Sequence, residues 1–304
     1  MTPDRAEPRA RSRAAAVSIA SNSALIALKI VAGVLTGSVA VLTEALHSGI
    51  DLLASLIAFF SVRRAEEPAD LGHRYGHDKY ENAAAAAEGM LVLAGSAVIA
   101  FAAIRSLIVG PHLQRLGIGV AVVAFAAAVN LGVSQWLFRK GREMSSPALS
   151  GDATHLRTDA YTSIGVLVGL ALVEITGQAW LDPVVALVVA GAIVVTGVRL
   201  TAASLRVLVD EALPDEDLAA IRACIAAFDG AGVVGYHQLR TRSAGSRRYV
   251  DLHLQFRAGT TLEDAHRTAH RLQDAIERRL GGADVLIHLE PEDRVRPGEE
   301  FVAR

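Results

Sequence analysis

Residues 39–62 read Val-Ala-Val-Leu-Thr-Glu-Ala-Leu-His47-Ser-Gly-Ile-Asp51-Leu-Leu-Ala-Ser-Leu-Ile-Ala-Phe-Phe-Ser-Val. A helix of roughly 20 apolar residues crosses a hydrocarbon core, and this run is long enough. Yet it carries an imidazole and a carboxylate four residues apart, on one helix face. The same pair recurs as His155 and Asp159 in a later apolar stretch. Ionisable groups at membrane depth are costly and mark a pathway or a site. Two imidazoles and two carboxylates make a closed four-ligand set suited to a tetrahedral divalent metal such as Zn²⁺. The competing explanation, a polar contact between helices, accounts for one such pair more easily than for two.

The composition agrees with a membrane reading. Of 304 residues, 52% are apolar and only 5% aromatic, with a mean hydropathy of +0.35. Ordinary soluble enzymes are less apolar. The net charge of −2 gives no basic bias, so nucleic acid is not expected as a partner. Cys224 is the single cysteine, which excludes an internal disulfide and a thiolate metal cluster.

Six apolar stretches are expected to span, near residues 15–36, 39–62, 83–109, 116–138, 149–176 and 183–207. The first follows a polar, arginine-rich tail and reads as a retained helix rather than a cleaved signal. The fifth carries Asp152, His155, Arg157 and Asp159 in its first half. Short connections on one side hold Arg5, Arg9, Arg11 and Arg13, then Arg63, Arg64, Arg74 and Lys79, then Arg139, Lys140 and Arg142. The other side holds Arg115, with Arg105 near a helix end. Positive charge stays inside, so both termini are expected in the cytoplasm of a multi-pass inner-membrane protein. Lys29 is expected to snorkel to the interface. Asn22 and Asn130 read as interhelical hydrogen-bonding residues, and the Ala83–Ala87 run with Gly89 as a close helix approach.

After residue 208 the pattern changes. Pro214 and Asp215 open a helix over 215–228. Strands are expected at 233–241, 247–257 and 284–290, the second with Val250, Leu252, Leu254 and Phe256 on one face. Thr260 and Glu263 form a capping-box pattern ahead of a helix running to about 280. The expected organisation is a cytoplasmic tail (1–14), a six-helix transmembrane domain (15–208), a small cytoplasmic α+β domain (209–292) and a frayed tail (293–304).

Two further ligand groups stand out. Asp70, His73 and His77 fall within eight residues of a connection. The C-terminal segment holds His237, His253, His266, His270 and His288 with Glu290. Solvated loops and surface histidines explain such sets equally well until geometry is known.

The chain resembles the cation diffusion facilitator family of metal/proton antiporters. The resemblance is carried by Gly37-Ser-Val-Ala-Val-Leu-Thr-Glu-Ala-Leu-His47-Ser-Gly-Ile-Asp51 and His73-Arg-Tyr-Gly-His77-Asp-Lys79-Tyr-Glu81. It continues through His155-Leu-Arg-Thr-Asp159, Leu213-Pro214-Asp215 and Gly235-Tyr-His237-Gln-Leu-Arg240-Thr-Arg242. It implies a homodimer in the lipid bilayer, with six transmembrane helices and a ferredoxin-like αββαβ cytoplasmic domain. It also implies a transport site at His47, Asp51, His155 and Asp159, and a loop site at Asp70, His73 and His77. A binuclear site would fall on His237, His253, His266 and His288, with Glu290 where a bridging aspartate is common. An interdomain salt bridge would fall on Lys79 and Asp210.

Histidine at the first transport position resembles zinc-preferring members. The expected activity is therefore proton-coupled export of Zn(II), which would also be a structural or regulatory ligand. Co(II), Fe(II) and Cd(II) are the alternative cargoes. A metal sensor or storage protein is the alternative of another class. No enzyme is expected, since the zinc-protease pattern His-Glu-x-x-His is missing.

Overall fold

A computed structural model describes residues 6–36, 39–109, 118–178, 180–228, 232–293 and 301–303; some side chains within its helices, those of His47 and Asp51 included, lie outside the description. The chain divides into two compact units, Thr2–Leu205 and Arg206–Arg304.

The first unit is helical. It comprises α1 (Ala6–Thr36), α2 (Val39–Ala65), α3 (Lys79–Val109), α4 (Ile118–Glu143), α5 (Pro147–Thr176) and most of α6 (Leu181–Leu208). Each expected span lies on one of these helices. Among the described residues, three satisfy length and apolarity together: Ala10–Val31, Lys79–Val109 and Pro183–Leu208. On α5, the polar groups of the first half interrupt the apolar run. Large apolar side chains such as Val34, Phe60, Phe101, Ile108 and Val188 face outward, as a lipid solvent permits.

Small residues set the interior. Ala14, Ala15, Ala84, Ala148 and Ala153 pack with Val62, Leu137, Leu149 and Leu156. Gly89 lets α3 approach α6: a Cβ there would lie 3.0 Å from the Thr201 backbone nitrogen. That is the close packing expected of small residues between membrane helices. Asn22 Nδ2 donates to Ser55 Oγ at 2.7 Å, so the expected α1–α2 bond forms. Of Asn130, Oδ1 is buried without a hydrogen bond among the described residues. Lys29 departs from the expectation, being only 4% exposed and enclosed by protein rather than reaching outward. At one end of the bundle, Arg11 reaches Glu81 Oε1 at 3.2 Å and donates to the Met144 carbonyl at 2.8 Å. Ser146 donates to the other Glu81 oxygen.

The second unit is α+β, with a helix-and-mixed-sheet arrangement consistent with a ferredoxin-like fold. It contains α7 (Asp215–Ala226), β1 (Val233–Ala244), β2 (Arg247–Phe256), α8 (Leu262–Leu280), β3 (Asp284–Pro291) and β4 (Phe301–Ala303). The sheet order is β3-β2-β1-β4. β1 runs antiparallel to β2 and β4, while β2 and β3 are parallel. A parallel pair needs a long crossover, which α8 supplies. Val250, Leu252, Leu254 and Phe256 point into a core closed by Ile221, Ile225, Leu272 and Ile276. The opposite face of the sheet is left for polar side chains.

Two details correct the sequence reading. The cap of α8 is Thr261, whose side chain accepts from the Asp264 backbone N–H, not Thr260 with Glu263. Adjacent threonines offer two frames, and the one that suits the approach of the chain is used. The terminal tail is not wholly frayed: residues 301–303 pair with β1 as an edge strand.

Leu272 is fully buried at the centre of this core. Leu272→Ala should lower stability by about 2–5 kcal/mol, by lost transfer energy and the cavity left behind. Thermal unfolding of the purified protein measures it.

Candidate metal sites

The transmembrane pair lies where α5 carries it. His155 is buried, and its Nε2 is 3.6 Å from Asp159 Oδ2, one turn along. α5 packs against α2, the helix bearing His47 and Asp51. The backbone of α2 places those two residues a helical turn apart.

The loop set is built around a tight turn between α2 and α3. Asp70 Oδ1 accepts from the backbone N–H of Gly72 at 2.8 Å and of His73 at 2.6 Å. The His73 N–H, and behind it that of Gly72, hold the Asp70 carboxyl below its usual range against the opposing effect of burial. Asp70 is therefore a standing anion. His73 Nδ1 lies 3.3 Å from Oδ1, and His77 Nε2 lies 3.4 Å from Oδ2. Ligands at about 2.0–2.1 Å from tetrahedral zinc are separated by about 3.3 Å; both spacings are of that size, to different oxygens of Asp70, and one ligand atom from each of the three residues lies within 4.8 Å of the others. His77 is 2% exposed, and neither ring nitrogen makes a hydrogen bond among the described residues. A buried imidazole with that deficiency fits a metal.

The third set forms on the polar face of the sheet. His237 on β1, His253 on β2 and His288 on β3 occupy one rung across three strands. Glu290 follows two residues after His288 on the same face. His237 Nε2 lies 2.9 Å from Glu290 Oε2, and His253 Nδ1 lies 2.9 Å from Oε1. His288 Nε2 is 3.4 Å from that same Oε1. Burial would raise the Glu290 carboxyl, but the hydrogen bonds from His237 and His253 outweigh it and hold the group below its usual range.

A β-bulge positions His237. Between the pairs His237–His253 and Arg240–Asp251, β1 carries one extra residue, and Gln238 takes φ 49°. Such a bulge re-aims the neighbouring side chain. The rung thus brings together His237, His253, His288 and Glu290. His266 is found instead in ring contact with His270, centroids 4.4 Å apart on exposed positions of α8.

Asp210 stands in the turn after α6 with φ 59°, and its Oδ1 lies 3.4 Å from Arg242 Nη1. Lys79 opens α3 in the other unit.

Sequence reasoning missed one polar group inside the helices. Ser55 donates to Asp152 Oδ1 at 3.0 Å, and Ser18 and Ser55 hydroxyls are 3.0 Å apart. The fully buried Glu88 lies close enough for the charge of Asp152 to act on it. Asp152 was visible as a charge within a span. Glu88 was masked by the alanine run before it.

Ionisable ligand types on an inward face of α5, in a chain whose second unit is rich in histidine, point to a membrane protein that handles metal cations. Comparison with known proteins agrees. Residues 15–209 match the cation efflux transmembrane domain, and residues 213–292 match the cytoplasmic domain of cation efflux proteins. The cation-efflux pump FieF of Klebsiella pneumoniae is 35% identical over 295 residues, covering 95% of each chain. The Zn form of CzrB is 36% identical, covering 29% of this chain and 98% of that one, with a TM-score of 0.27. The metal-bound C-terminal domain of the CzcD transporter from Thermotoga maritima is 23% identical, covering 27% and 93%, with a TM-score of 0.25. The chain belongs to the cation diffusion facilitator family. It is a membrane transporter that exports divalent cations, not an enzyme.

Glu290 gives a test of the sheet site. Glu290→Ala removes the carboxylate that orients two imidazoles, so zinc affinity of the C-terminal unit should fall about 10–100-fold by calorimetry. In metal-free protein, a depressed carboxyl stabilises the folded state fully above its ordinary value of 4.5. That contribution is lost as pH falls through the lower folded value. The stability gap between wild type and Glu290→Gln should therefore close only on acidification, in a pH series of thermal melts.

Proposed function

We propose that the protein exports Zn(II) from the cytoplasm in exchange for protons, as a homodimer in the inner membrane. The observation that carries this reading is the buried His155–Asp159 pair on a helix packed against the one that repeats the motif. His47, Asp51, His155 and Asp159 would replace the water shell of the ion. Two carboxylates offset its charge, and two imidazoles supply borderline-soft nitrogen.

Proton coupling follows from the ligand chemistry. Each ligand must be deprotonated to take metal, so protons and zinc compete for one site. Protons entering from outside displace zinc there, and cytoplasmic zinc displaces protons. Alternating exposure would come from rocking of helices around the fixed site, as secondary transporters do. The arginine asymmetry supports cytoplasmic termini.

The other two sets would serve regulation. Asp70, His73 and His77 would hold one ion at the loop. His237, His253, His288 and Glu290 would hold metal on the sheet, with His266 completing a binuclear site in the dimer. Metal there would tighten the dimer when cytosolic zinc is high. Zinc titration that left the distance between the two cytoplasmic domains unchanged would defeat this part. Lys79 and Asp210 would form the tie between the two units.

Purified protein in proteoliposomes with an imposed pH gradient tests the whole reading. Zinc flux should follow the gradient, and Asp159→Asn should abolish it. Flux without gradient dependence would sink the antiport. Competition by Co(II), Fe(II) and Cd(II) in the same assay ranks the cargo.

A further inference from the structure

Glu88 sits on α3 inside the helical unit, 0% exposed, and both of its carboxylate oxygens are buried without a hydrogen bond among the described residues. It has no cationic partner among them either. Its carboxyl lies against the backbone of α5. A methyl group at Gly151 would overlap Glu88 Oε2 and stand 3.1 Å from Cδ. The glycine leaves the space that the carboxyl fills. The next residue is Asp152, also 0% exposed, whose charge acts on Glu88.

Asp152 is only half supplied with donors. Ser55 donates to Oδ1, and Ser18 approaches the same carboxyl. Oδ2 is buried without a hydrogen bond among the described residues. Three buried acceptor oxygens, two on Glu88 and one on Asp152, the residue next to the glycine whose space Glu88 fills, thus carry no hydrogen bond among the described residues. Two carboxylates brought together away from water do not both ionise, because each disfavours the charge of the other. What the arrangement lacks is one small cation.

The surroundings select a proton for that place. From α1 come Ser18 and Asn22, with the buried Lys29 two turns beyond Asn22. From α2 comes Ser55. On α3 the next carboxylate is Glu81, already held by Arg11 and Ser146. α4 contributes Ser134, committed to the Ala153 carbonyl, and α6 brings Thr201 against Gly89. On α5, His155 stands three residues after Asp152, and Asp159 beyond it. The charge of His155 acts on Asp152, while the hydroxyl groups around the pair are poor partners for a soft divalent ion.

We propose that Glu88 and Asp152 share one exchangeable proton, forming a protonation site inside the bundle that is separate from the metal ligands. Uptake places the proton on a Glu88 oxygen, with Asp152 accepting the hydrogen bond. Release returns it to water and alters no other bond. The site lies about one turn from His155 on the same helix, so its charge state biases metal entry electrostatically. That role rests on the proton-coupled reading above; the shared proton itself does not.

Infrared difference spectra of the detergent-purified full chain at neutral pH, in light and heavy water, read the proton directly. Wild type should show the carbonyl stretch of a protonated carboxylic acid, lost in Glu88→Gln and retained at a shifted frequency in Glu88→Asp. Absence of the band, or its persistence in both Glu88→Gln and Asp152→Asn, overturns the proposal. So does the loss of one bound zinc in Glu88→Gln, which would make the pair a metal site. In proteoliposomes, Glu88→Gln should flatten the slope of zinc flux against pH, and a wild-type slope overturns the coupling role. A wild type whose flux ignores the pH gradient defeats the antiport reading instead, and leaves the infrared band standing.

Discussion

A carboxylate carried into a helical bundle must find hydrogens there, because lipid offers none. That constraint organises the first unit. Ser18, Asn22 and Ser55 are small polar residues on α1 and α2, and they converge on Asp152 of α5. Arg11 and Ser146 do the same for Glu81. The alanines and glycines between them bring the backbones near enough for such short side chains to reach. Packing and polar satisfaction are one design here, since a larger residue at Gly151 would evict a carboxyl.

The second unit answers to a different rule. Its core is conventional, with β2 alternating between apolar and polar faces and α8 crossing over to a parallel strand. The clustering of histidines is a by-product of register. His237, His253 and His288 share a rung only because three strands are aligned there. Glu290 then gathers them through two oxygens, which lets one carboxylate speak to three imidazoles.

Much of this was legible in the chain. Spans follow from runs of apolar residues, and the alternation at 250–256 fixes which side of β2 faces inward. The His155–Asp159 contact follows from helical spacing alone. What escaped has physical reasons. The pairing of residues 301–303 with β1 joins segments far apart in sequence, and three residues carry no period. The choice between Thr260 and Thr261 as cap depends on how the chain enters α8. Placement of His237 depends on a bulge whose left-handed residue is Gln238, where no glycine advertises the turn. Glu88 acquires meaning only from the hollow opposite it on α5.

The rung of histidines has a mechanical side. In a sheet whose side chains alternate, sliding a strand by one residue turns its imidazole toward the oily interior. An ion gripped from β1, β2 and β3 at once would act as a rivet against that shear. Metal held there would then stiffen the domain lengthwise.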